Sequence, residues 1–368
     1  MHAHGAHLSC PRIVKGAYEV SQDEYIDMVM ARFPEEERNG VDARSARLMT
    51  SNLGVVKQHL GLPLTSPAVA GGGKVGERNE ASLEVILELT ERAIKQCLAE
   101  AGVNPRDIDA IFLSNVTYWG SPGIISHLIK PCGFNPDVDK TELGSVACAG
   151  GATAYAKAFD YVTAYPDRRA LVVATERLST IIHGDDTDPM DITYGGTFGD
   201  TAGASVVSGY RADDRELIKR LGPGMVITNR HEYVMPDTLH FYRSRLDERG
   251  KGFGSNKRAP EVTAEIIPKV RAWMKSKGIP DPEWMVLHPG SKRILHVMAK
   301  SFGVDPDRNG VLRRSFDSLE DANKGAVGLL DVQRRTHADP PAHEAPGVMG
   351  GVGPGVNFVT LAGFFSRG

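Results

Sequence analysis

Residues 81–113 read ASLEVILELTERAIKQCLAEAGVNPRDIDAIFL, and residues 264–287 repeat the phrase as AEIIPKVRAWMKSKGIPDPEWMVL. In the first stretch Leu83, Ile86, Leu87, Leu89, Ala93, Ile94 and Cys97 recur at three- and four-residue steps, which predicts an amphipathic helix stopped by Gly102. The turn Asn104–Asp109 then leads into a short apolar run, Ala110–Leu113, read as a buried strand. In the second stretch Ile266, Ile267, Val270, Trp273 and Met274 mark the helix, Gly278–Asp281 the stop, and Trp284–Leu287 the strand. A second pair follows in the same order: Phe198–Val207 and Gly351–Val359 both read as a glycine-rich bend feeding a strand. Two repeats in one order predict an internal duplication. Strands alternating with helices predict an α/β fold with largely parallel, buried strands. The charged segment Arg211–Lys219 marks the expected seam, giving halves 1–215 and 216–368.

The rest of the composition narrows the function classes. Among 368 residues, Lys and Arg total 43 and Asp and Glu 46, a formal charge of −3, which leaves no electrostatic footprint for nucleic acid or an anionic membrane. The 40 glycines and 22 prolines follow no period, so a collagen-like chain is excluded. No run of 18 apolar residues exists to span a bilayer. The opening MHAHGAH carries no Lys or Arg and no apolar core, so no signal peptide is expected. Its alternating His2, His4 and His7 suit a metal, but a disordered start is the simpler expectation. Cys10, Cys97, Cys132 and Cys148 lack CxxC spacing, which argues against zinc or a disulfide framework and for a reducing cytoplasm.

Three windows share one design, in which a strand ends, a reactive side chain follows and a helix starts; ligands of α/β sheets bind at such places. In Leu143–Ala154 the strand is expected to end near Ala147, which sets Cys148 at a helix N-terminus, where the dipole favours a thiolate. An inert buried thiol is the plainer reading. In Trp284–Leu295 the strand ends at Leu287 and presents His288 ahead of Pro289. In Asp321–Val332, Asn323 reads as a helix N-cap, or as an amide donor to a developing oxyanion.

Val-Ala-Cys-Ala-Gly-Gly-Ala around Cys148, His-Pro-Gly-Ser at His288 and Ala-Asn-Lys-Gly-Ala at Asn323 together resemble the Cys–His–Asn set of the thiolase superfamily. Phe198-Gly199-Asp200 and the closing Gly351-Val352-Gly353-Pro354-Gly355 are similar to those of its type III polyketide synthase, or chalcone-synthase-like, branch. The agreement in order and spacing runs from about Tyr18 to Phe365. The resemblance implies a thiolase-like five-layered αβαβα fold from two duplicated halves, acting as a homodimer without metal or redox cofactor. It implies acyl and malonyl thioesters as substrates, with a starter loaded on Cys148 and extended by decarboxylative Claisen condensation to a small pyrone, resorcinol or related polyketide. His288 and Asn323 would hold the enolate oxygen, and His288 would pair with the Cys148 thiolate. Phe198 and Phe253 would stand where tunnel meets cavity.

The departures from that branch are specific. Leu178 and Ile181 replace threonines of plant members, which implies an apolar cavity and an aliphatic starter. Gly325 replaces a serine, and Ser121, in the loop that reaches a partner subunit's cavity, replaces a methionine. Asn52 and Val55 fall where basic residues hold the CoA phosphates, leaving only Lys57 there. That favours an acyl carrier protein over CoA as donor, and keeps open a ketoacyl-ACP synthase III-like enzyme making one condensation or a simple acyl transfer. A thiol hydrolase using the same trio is the further alternative.

Overall fold

The computed structural model describes residues 4–305 and 311–368. A ten-stranded sheet runs through it in the order Asp139–Leu143, Ala110–Ser114, Arg169–Glu176, Thr201–Arg211, His4–Leu8, Gly224–Val234, Asn357–Ser366, Pro346–Gly353, Trp284–Leu287; Arg12–Lys15 pairs with Thr201–Arg211 beside this path. Counted outward from the junction of His4–Leu8 with Gly224–Val234, each half reads antiparallel, antiparallel, parallel. The first half adds Asp139–Leu143 as one more parallel strand. Ala110–Ser114 and Trp284–Leu287 are buried at every residue, as strands covered on both faces must be.

Helices set the layers. Val75–Ala101 covers one face of the first half, ending on Gly102 in the left-handed conformation. Gly150–Ala164 and Val327–Ala338 pack on each other and touch strands of both halves, so they form the middle layer. Ile267–Ser276 and Lys292–Phe302 close the far face, with Val270, Met274, Leu295 and Met298 in one core with Met285 and Val348. The result is five layers, αβαβα.

Several local expectations change. The N-terminus is not loose: His4–Leu8 is the central strand, hydrogen-bonded to both halves, with Ala6 opposite Gly209 on one side and Ile227 on the other. His7 is buried against the Gly222 carbonyl at 3.2 Å, and burial lowers its pKa to about 4. His2 lies outside the described residues, and among those described no His, Cys, Asp or Glu cluster is arranged to hold a metal. The charged segment after Arg211 folds as the short helix Arg215–Leu221 between two long strands. Gly351–Gly353 belongs to a strand, and the bend is confined to Pro354–Val356. No helix among the described residues is long and apolar enough to cross a membrane.

Candidate active site

The middle-layer helices begin at one place. Strand Asp139–Leu143 ends earlier than expected, and a 3₁₀ turn, Ala147–Ala149, carries Cys148 into helix Gly150–Ala164. Ala147 has φ 45°, a left-handed conformation that costs a non-glycine residue about 1–3 kcal/mol and turns the chain sharply. Gly150 and Gly151 permit the close approach. A Cβ on Gly150 would stand 1.9 Å from Ser114 Oγ, and one on Gly151 2.4 Å from the Ala326 carbonyl just before the companion helix.

His288 follows strand Trp284–Leu287, fixed by its N–H donating to the Gly350 carbonyl at 2.9 Å. The residue is buried, and neither ring nitrogen has a hydrogen-bond partner among the described residues. Asn323 is tied to Phe198 by a parallel bridge, its N–H donating to the Thr197 carbonyl at 2.9 Å. It is not the helix N-cap, since the helix starts at Val327. Instead Asn323 Oδ1 accepts from the Gly325 N–H at 2.9 Å, and Nδ2 donates to the Gly290 carbonyl at 2.8 Å. This fixes the amide and leaves its second N–H free. Cys148, His288 and Asn323 line one cavity of about 150 Å³.

A second cavity, of about 310 Å³, also opens on Cys148. The two share Phe198 and Phe253, whose rings meet edge to face at 6.0 Å, so the paired aromatics stand at the junction. Leu178, Ile181 and Gly325 line the second cavity. Gly325 has φ 56°, and a Cβ there would lie 3.1 Å from Leu178 Cδ1 and 3.3 Å from Glu176 Cγ.

Ser121 and Lys57 line neither cavity of this chain. Lys57 donates to Glu19 at 2.8 Å across the pairing of Tyr18–Ser21 with Lys57–Leu60, an exposed pair at the surface. Asn52 caps the carboxyl end of its helix, donating to the Leu48 carbonyl, and Val55 is buried.

The wall is not as apolar as Leu178 and Ile181 predict, because Glu176 and Lys251 also line it. Glu176 closes the buried strand after the apolar run Leu171–Ala174 and Thr175, and an acid closing a buried strand was a readable signal. Lys251 sits in a glycine-rich strand, Gly250–Ser255, and nothing local marks it.

Electrostatics favours neutral forms. Burial pushes the Cys148 thiol up to about 12, with the Glu176 charge adding to it. Burial lowers His288 to about 4, helped by the Lys324 ammonium. Lys324 is itself fully buried and compensated by Asp331 at 3.4 Å. Both shifts favour the uncharged thiol and imidazole over the expected ion pair.

A thiol, an imidazole and an amide thus line one cavity where the two middle helices begin, in a fold like that of the thiolase-type condensing enzymes. The FAE1/type III polyketide synthase-like family model matches residues 35–194. The chain is 29% identical over 333 residues to a 1,3,6,8-tetrahydroxynaphthalene synthase of Streptomyces peucetius subsp. caesius, covering 88% of this chain and 84% of that one. It is 26% identical to the Streptomyces griseus enzyme of the same name, covering 87% and 83%. The solved structure of germicidin synthase from Streptomyces coelicolor, a type III polyketide synthase, superposes with a TM-score of 0.85 at 25% identity, over 99% of this chain and 100% of that one. Along most of its length the chain is similar to type III polyketide synthases, which are condensing acyltransferases.

Proposed function

We propose that this enzyme loads an acyl starter on Cys148 and extends it with malonyl units to a small pyrone, resorcinol or related polyketide. What carries the reading is the convergence of Cys148, His288 and Asn323 on one cavity that meets a second at Phe198 and Phe253.

The neutral His288 accepts the Cys148 proton as sulfur attacks the starter thioester, and returns it to the departing thiol. Loss of carbon dioxide from the malonyl thioester places negative charge on its carbonyl oxygen. The free Asn323 N–H and an N–H of His288 stabilise that charge in a site without bulk water, worth about 3–4 kcal/mol per donor. The enolate carbon attacks the Cys148 thioester, a carbon–carbon bond forms, and sulfur leaves. Leu178 and Ile181 favour an aliphatic starter, and the space left at Gly325 extends the chamber for the growing chain. We place the working molecule in the cytoplasm as a homodimer, with Ser121 on the loop that meets the partner, and its two halves at 1–215 and 216–368.

CoA thioesters, the donors of the similar enzymes, would meet no cation at Asn52 or Val55 and only Lys57, paired with Glu19, nearby, which favours a carrier-protein donor. The test is incubation of wild type and Cys148→Ala with radiolabelled malonyl-CoA or malonyl-carrier protein and acyl thioesters of graded length. New carbon–carbon bonds in wild type alone are expected. Free acid as sole product would make the enzyme a thiol hydrolase. A single condensation or an O- or N-acyl product would make it a ketoacyl-ACP synthase III-like enzyme or transferase.

A further inference from the structure

The condensation leaves two charged side chains of the larger cavity unused. Glu176 is buried at the end of strand Arg169–Glu176. Its Oε2 accepts from the Thr117 hydroxyl at 3.0 Å and the Val116 N–H at 3.2 Å, while Oε1 is buried with no partner among the described residues. Lys251 lies with its Nζ 3.8 Å from the centre of the Trp119 ring, and among the described residues no acceptor takes a hydrogen bond from it. Both side chains line the cavity that opens on Cys148. A Glu–Lys pair that served only the fold would be bonded to itself. Here no ion pair within 4 Å joins the two, and each keeps a polar atom unspent.

We propose that Lys251 condenses through its amine with a ketone of the chain held on Cys148, forming an imine, with Glu176 as its proton donor. This rests on the polyketide reading above, since that chemistry is what brings β-ketones into the cavity. Nζ attacks the ketone carbon, the C=O π bond becomes an alkoxide, and a proton from nitrogen neutralises it to give a carbinolamine. Glu176 gives a proton to that hydroxyl, which leaves as water while C=N forms. The Glu176 carboxylate then takes a proton from the neighbouring methylene, giving an enaminone whose carbon is the nucleophile for ring closure. Water adds back to release the ketone and the free amine, so no oxidant or reductant enters.

The protonation states agree with the geometry. Burial lowers Lys251 to about 8, against the pull of Glu176, and burial raises Glu176 to about 7. Near neutral pH a free amine and a protonated carboxyl are therefore both within reach. Opposite them Gly325 contributes no side chain; a Cβ there would stand 3.3 Å from Glu176 Cγ.

The test uses pentane-2,4-dione, a β-diketone with no thioester. Wild-type enzyme should gain the mass of one dione less one water, develop the near-ultraviolet band of an enaminone, and carry the label on the Lys251 peptide after cyanoborohydride reduction. Lys251→Arg keeps the charge and should abolish the adduct. In Glu176→Gln its rate should fall about 100-fold or more, the usual weight of a positioned proton donor. Melting temperature and Cys148 alkylation identify any variant that has merely unfolded. A wild-type adduct absent from the Lys251 peptide, or one that persists in Lys251→Arg, overturns the proposal. Labelling of Lys251 with no malonyl condensation would refute the polyketide reading alone; condensation without labelling would refute the imine alone.

Discussion

Raising the pH in steps while alkylating Cys148 with iodoacetamide tests the neutral thiol–imidazole pair directly. The thiol stands at about 12 against an ordinary 9.0, so burial cuts its thiolate population about 1,000-fold. A more basic thiolate is also a better nucleophile, with a Brønsted slope of about 0.4–0.5, which restores about 20-fold. The net expectation is alkylation about 50-fold slower than that of a free thiol at the same pH. The logarithm of the rate should climb by about one per pH unit from about pH 7 to 10, without a plateau. Peptide mapping must follow Cys148 itself, because Cys10 is also partly accessible. His288→Asn should leave the slope unchanged, since the imidazole carries no charge to lose. A plateau reached by about pH 6, abolished in His288→Asn, would establish a resting thiolate–imidazolium pair and refute the electrostatic argument.

Other outcomes follow from single contacts. Gly325→Ser should cost about 1–2 kcal/mol, because a side chain must adopt φ 56°, and should narrow the starter range by pressing on Leu178; an unchanged melting temperature would contradict this. Lys324→Met removes one partner of a buried pair, but Asp331 keeps Arg334 at 2.9 Å and Arg335 at 3.1 Å. The loss should therefore sit at the low end, about 3 kcal/mol, or about 4 °C in melting temperature for a chain of this size. His7 is held neutral with its pKa lowered from 6.5 to about 4, so the unfolded chain binds a proton that the folded chain refuses. Stability should thus fall as pH drops through that window, by about 3 kcal/mol at its acid end, and His7→Gln should flatten that part of the denaturation profile relative to wild type.

The duplicated phrase made the architecture legible because each copy carries its own punctuation. Gly102 and Gly278 stop their helices in the left-handed conformation at φ 62° and 65°, and the buried strands that follow are apolar throughout. The meeting of Cys148, His288 and Asn323 at one cavity was readable for the same reason, since each sits where local sequence turns the chain from one element to the next. What escaped depends on partners distant in sequence. The role of His4–Leu8 is set by pairings with residues 207–211 and 225–227, and Lys57 is paired with Glu19 across another strand pair. Asn323 fails as a cap because Gly290 and Thr197 hold it. Lys251 has no periodicity to betray it, and only the fold turns it towards a chamber.

The seam strand also bears on handling the polypeptide. Shortening the gene product so that it starts at Ser9 would strip one interior rung and leave the facing edges at Val207–Arg211 and Met225–Ile227 without their hydrogen-bond donors and acceptors. Such edges invite pairing between molecules, so insoluble material is the expected yield. Affinity tags belong at the carboxyl end, where Arg367 and Gly368 are exposed, rather than ahead of His4.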